Sequence, residues 1–229
     1  MSADGRCSGR TSLAAKEPAD VAARRKPPTQ RDCVPVRTQA ELETALLARG
    51  KVPICLGDGE FSLAGSSQAW AGERARVRLA DSADLIACDS ATVVAVGRAT
   101  VAATDAAAVR AYDSCSVVAL HEATVEAHGD ARVEAYGKSA VSLHDGSSVA
   151  GSDHSQIRAY DGSSVEAFGA AQVAAYGSAR VVAHGQTTVE AHDRSTVEAH
   201  GEVRVEAYDS AEVSAHDDVS VHRHHAHEQ

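Results

Sequence analysis

From Val77 to Val221 one apolar position recurs every eighth residue, with no insertion or deletion. It is filled nineteen times, always by Val except at Leu85 and Ile157. Two residues later Ala stands in fifteen of the nineteen octads, the exceptions being Leu79, Leu143, Gly151 and Arg223. Two further on comes Asp or Gly, except at His121 and His225, and the residue two before each Val is nearly always small, as at Ala91, Ala107 and Ser163. Positions two apart share one face of an extended chain, while the Arg, Thr, Glu, Tyr, His and Ser between them share the other. An eight-residue period is no multiple of 3.6, so a helix would smear this pattern around its surface. Val suits a pleated strand, and Ala and Ser let two faces approach closely. Gly or Asp tolerates the backbone of a corner, where Asp can also hydrogen-bond its own backbone. Each octad therefore reads as one strand and one corner.

Self-similarity at a fixed short period predicts a solenoid. The expected fold is all-β, a single-stranded parallel β-helix with a short N-terminal capping helix. Inward residues this small suit a thin, two-faced interior with two octads, about 16 residues, per turn; three octads per turn, a triangular coil of about 24, is the alternative. Nineteen octads at two per turn give about nine and a half turns, a rod of about 45 Å at the usual inter-strand spacing.

The octad solenoid is expected over 71–221 and a helix–strand N-terminal cap over 34–70. In "TQAELETALLARG", Thr38 stands at an N-cap with Glu41 three residues on, the reciprocal arrangement of a capping box. Leu42, Ala45 and Leu46 follow at helical spacing, and Gly50 stands where a C-terminal left-handed residue belongs. "VPICL" and "FSLAG" read as short strands around the turn "GDGE". A helix placed there covers apolar side chains and unpaired edge groups at an open end of a stacked sheet. Residues 1–33, with low hydrophobicity and no periodicity, read as a disordered basic arm, and 222–229 as a His-rich tail.

The V-x-A-x-[GD] wording resembles the octapeptide-repeat β-solenoid stretches of uncharacterised actinobacterial and phage proteins, over about 145 residues from 77 to 221. The segment "TQAELETALLARGKVPICLGDGEFSLAG" looks like the N-terminal cap of pectate-lyase-like parallel β-helices. The resemblance implies the architecture alone. Lyases of that kind carry a catalytic Asp and basic residues on the outer face of the coil, and no matching cluster is found in this sequence.

The net charge of −10 is uneven: residues 1–33 hold seven Lys and Arg against four acids, about +3, which leaves about −13 on the remainder. An acidic body does not wrap a phosphate backbone, so no direct nucleic-acid binding is expected, although such a body can imitate nucleic acid. Arg78, Arg110, Arg132, Arg158, Arg180 and Arg204 interrupt the acidic rows. The five cysteines are odd in number and lack CxxC spacing, so they read as isolated reduced thiols. With no 18-residue apolar run and no secretory h-region, the expectation is a cytoplasmic chain without membrane contact.

The outward position after each Ala is rich in rings. At sixteen residues per turn His184, His200 and His216 fall in one column about 4.8 Å apart, and neutral imidazoles ligate Zn, Cu or Ni. The competing reading is a ring ladder in which His and Tyr interchange as flat, half-exposed residues. The tail adds His222, His224, His225 and His227 as a second candidate site for Zn or Ni. Asp145, Asp153, Asp161, Asp193, Asp209 and Asp217 read as corners rather than calcium ligands, because Gly replaces Asp freely at that position. Glu126, Glu134, Glu166, Glu190, Glu198 and Glu206 lie on a flat face without loops to build a pocket. Cys115 takes an inward Ala position and is expected to be buried and inert. GxSxG, phosphate-loop and HExxH motifs are all missing. The sequence thus points to a rigid structural or protein-interaction rod without catalytic activity or resident cofactor, binding a protein partner or stacking end-to-end on another copy. The alternatives are an acidic DNA mimic that inhibits a nucleic-acid-binding protein, and divalent-metal binding through the His columns and tail.

Overall fold

The computed structural model describes residues 34–48 and 53–224. The basic arm, Gly50, His225 and His227 lie outside the described residues. The rest is a parallel β-solenoid with one short helix near its start. Successive octads alternate between two parallel sheets, one of twelve strands and one of eleven. The first sheet begins at Val34–Val36 and ends at Glu212–His216; the second runs from Glu60–Leu63 to Ser220–His224. Val133 pairs with Val117 on one side and Val149 on the other, a sixteen-residue register that excludes the triangular coil. This register extends back beyond Val77, with Phe61 against Val77 and Ala69 against Leu85. The twelve strands of the first sheet therefore span about 50 Å, longer than the octads alone imply.

The interior is a thin double layer. Inward Val and Ala, such as Val93, Ala95, Val101 and Ala103, are fully buried. Two departures from the octad compensate each other. Ile157 replaces Val on the second sheet, and Gly151 replaces Ala on the facing strand of the first. A Cβ on Gly151 would stand 2.4 Å from Ile157 Cδ1 and 2.9 Å from Ser155 Oγ, so the larger residue occupies the space that the smaller one leaves.

The Asp/Gly positions are corners in the left-handed region, with φ of 59° at Asp81 and 79° at Gly97. The acceptor role of Asp differs from the one expected: its carboxylate serves the corner one turn earlier, not its own backbone. Asp81 accepts from the Gly65 N–H at 3.1 Å, Asp113 from Gly97 at 2.9 Å and Asp145 from Gly129 at 3.2 Å. Sixteen residues bring one corner directly over the last, so a short side chain reaches the neighbouring rung more easily than it curls back.

The helix, Gln39–Leu47, is capped by Thr38 Oγ1, which accepts from the Glu41 N–H at 3.3 Å. Glu41 reaches back to the N–H of Arg37 at 2.8 Å, one residue beyond the usual box. Leu42 is fully buried against the end of the coil. The Gln39 side-chain amide completes the closure. Its Oε1 accepts from the Ser62 N–H at 2.9 Å and its Nε2 donates to the Ser62 carbonyl at 3.3 Å, as a neighbouring strand would. At the other end Glu212–His216 and Ser220–His224 each have a strand on one side only, and Val213, Val219 and Val221 are only partly buried among the described residues.

Candidate functional site: two ring columns and their carboxylates

The last residue of each strand or the one after it lies just before the corner and points outward, so the sixteen-residue register stacks these residues into columns. Along the second sheet eight rings stack without a break from Tyr112 through His128, His144, Tyr160, Tyr176, His192 and Tyr208 to His224. Along the first sheet Phe168, His184, His200 and His216 stack in the same way. His184 and His200 are 5.1 Å apart and His200 and His216 4.6 Å, with planes 12° and 7° from parallel. This spacing follows from the rung spacing of the sheets, and flat half-buried rings gain stacking contact at no added backbone constraint.

A second row of side chains lies beside the rings. The outward residue two before the ring is often Glu, and its carboxylate turns to the ring of its own strand. Glu126 Oε1 lies 3.2 Å from His128 Nε2, Glu198 Oε1 lies 3.1 Å from His200 Nε2, and Tyr136 donates to Glu134 at 3.1 Å. The sequence carries this as the triplets "EAH" and "EAY", a signal missed when Glu and ring positions are read as separate rows. The hydrogen bond from His128, with help from Arg110, holds the Glu126 carboxyl below its usual range. Glu206 is held down in the same way, chiefly by His224. Burial, reinforced by the charge of Glu134, pushes the Tyr136 phenol up to about 12.

Two groups of three ligand atoms result. Those of Glu126, His128 and His144 lie within 4.8 Å of one another, and so do those of Glu198, His200 and His216. His184 belongs to the stack but to neither group, because Val182 stands where a Glu would be. Of the tail histidines, His222 and His224 belong to the last strand. His224 stacks on Tyr208 at 4.4 Å and its Nε2 lies 2.6 Å from Glu206 Oε2; His222 Nδ1 stands 4.0 Å from the same carboxylate.

Other chemistry is sparse along the rod. Burial pushes the Cys88 thiol up to about 11 and raises that of Cys115, which is fully buried. An open trough of about 900 Å³ runs along the second sheet, past Arg110, Glu126, Arg158 and Glu190 and beside the rings of Tyr160 and Tyr176. Arg110 pairs with Glu126 at 3.0 Å within it. Among the described residues no helix is long and apolar enough to cross a membrane. Comparison with protein-family models, with curated proteins and with solved structures found no match for this chain.

Proposed function

We propose that this chain is a rigid, non-catalytic β-solenoid rod, a structural and interaction module that joins a second copy of itself end-on. The observation that carries the reading is the difference between its two ends. At one, Leu42 covers the interior and Gln39 satisfies the backbone of Ser62. At the other, among the described residues, the strands Glu212–His216 and Ser220–His224 offer edge N–H and C=O groups beside partly exposed Val213 and Val221. Such edges recruit further strands. Head-to-tail stacking would bury an open end against a closed one. Open end against open end is self-complementary and stops at a dimer.

The sides of the rod support the non-catalytic part of the reading. A general acid needs a carboxyl raised toward the working pH, whereas Glu126 and Glu206 are shifted down. A nucleophilic thiol needs a lowered value, whereas Cys88 and Cys115 are shifted up. The trough is open to solvent along its length and would not exclude water from a reacting group.

Light scattering of the full chain across a wide concentration range tests the proposal. A monomer–dimer equilibrium that Val213→Lys with Val221→Lys abolishes is the expected result. A chain that stays monomeric at high concentration, or that grows into filaments, contradicts it.

A further inference from the structure

We propose that Glu198, His200 and His216 form a binding site for one divalent cation of the zinc class, on the outer surface of the first sheet near its last rungs. The three side chains come from two adjacent strands, Thr196–His200 and Glu212–His216, in direct register. They supply two imidazole nitrogens and one carboxylate oxygen, within 4.8 Å of one another. Two His and one carboxylate are a donor set suited to Zn, and three protein ligands leave a coordination position open. A tetrahedral ion at 2.0–2.1 Å from each ligand sets the ligand atoms about 3.4 Å apart, so the widest pair of the free triad has to close by up to about 1.4 Å.

Contraction has a structural cost, and that cost separates this triad from its sister at Glu126, His128 and His144. Two parallel rings cannot both aim a lone pair at one ion between them, so one ring must rotate out of its stack. His216 is exposed and has a ring neighbour, His200, on one side only among the described residues. His128 and His144 lie inside their column, between Tyr112 and Tyr160, and rotation there breaks two contacts. The carboxylates differ as well. Glu126 is already held by Arg110 Nε at 3.0 Å, whereas the rung neighbours of Glu198 are Val182 and Ser214, neither of which competes for it. Glu198 has already turned to His200, with Oε1 3.1 Å from Nε2, so two of the three ligand atoms are placed before the ion arrives, and the ion takes the place of the proton they share, which passes to solvent.

This assignment departs from the ligand set that the sequence suggests. The column His184, His200 and His216 is present, but His184 stacks without a carboxylate beside it, and Glu198 takes its place among the ligands. Zinc titration calorimetry on the full-length chain separates the two sets, with His222, His224, His225 and His227 changed to Gln to remove the second His cluster. The expected result is one ion per chain, with affinity lowered at least tenfold by Glu198→Gln and by His216→Gln. His184→Gln should leave affinity within threefold. Zinc should also raise the melting temperature of the parent but not of Glu198→Gln, an isosteric change on an exposed side chain that leaves the fold intact. Adding Arg110→Ala should release Glu126 and raise the stoichiometry toward two. Equal binding by the parent and Glu198→Gln, or a loss in His184→Gln as large as that in His216→Gln, overturns the assignment.

Discussion

Gly151→Ala is a change toward the octad consensus, since Ala fills this position in fifteen of nineteen octads. Nevertheless, it should destabilise this protein. The new methyl carbon would lie 2.4 Å from Ile157 Cδ1 and 2.9 Å from Ser155 Oγ, well inside van der Waals contact. Ile157 is 2% exposed and Ser155 is fully buried, so neither can swing into solvent. Cδ1 is the far end of its side chain and partial χ2 rotation relieves some of the clash. The cost is therefore placed at about 1–2 kcal/mol, the lower part of the range for overpacking a core. Ile157→Val alone removes a buried methyl group and costs about 0.5–1.5 kcal/mol. The double variant recreates an ordinary octad pair and should return to within about 0.5 kcal/mol of the parent, a coupling larger than independent sites show. Denaturant unfolding of the four proteins, followed by circular dichroism, gives the cycle. Additive single effects would refute the argument that the two departures compensate each other, as would a Gly151→Ala protein more stable than the parent.

At the Asp113 corner, Asn should cost least, because it keeps an acceptor for the Gly97 N–H and tolerates φ of 58°. Gly loses the bond but suits the backbone, and Ala loses both, adding about 1–2 kcal/mol of left-handed strain; unfolding midpoints check the order. Ser163 Oγ is buried without a partner among the described residues, so Ser163→Ala should be neutral or stabilising by up to about 1 kcal/mol. Ser147 Oγ donates to the His144 carbonyl at 2.7 Å, so Ser147→Ala should be destabilising in the same assay. Gln39→Ala removes both bonds to Ser62, and hydrogen exchange of the Ser62 amide should accelerate while amides at mid-rod stay protected. Because the Glu126 carboxyl is lowered in the folded state, its stabilisation is complete above the unfolded value of 4.5 and is lost as pH falls through the lower folded value. The group is 42% exposed, so the difference in acid sensitivity from Glu126→Gln should stay below about 0.5 kcal/mol, read from unfolding curves between pH 5 and about 3.

What the sequence makes legible is what its two periods dictate. Alternation places Val and Ala inside, the octad marks each corner, and together they require parallel strands in register. The start of the coil is blurred because Phe61, Ala69 and Trp70 keep the register but not the Val and Ala wording. The Asp-to-corner bonds depend on knowing that residue i stands over i−16, which the octad alone leaves open between 16 and 24. The pairing of Gly151 with Ile157 requires knowing which residues face each other across the interior. Gln39 is invisible for a related reason: nothing in the helix pattern says which strand edge its amide will meet. The Glu–ring contacts were within reach, as "EAH" and "EAY", but they join two rows that alternation treats separately.

From Glu60 onward the rod keeps one pitch, sixteen residues per rung, after two opening rungs of twenty and fifteen in the first sheet. Ser82 and Ser178 are exposed residues in the same column, ninety-six residues apart. Spin labels at these two positions, on a cysteine-free background, measure that pitch directly by pulsed dipolar spectroscopy. Six rungs predict a single narrow distance of about 29 Å. A distance near 19 Å, which a four-rung triangular coil would give, or a broad distribution without a dominant peak, would contradict the account.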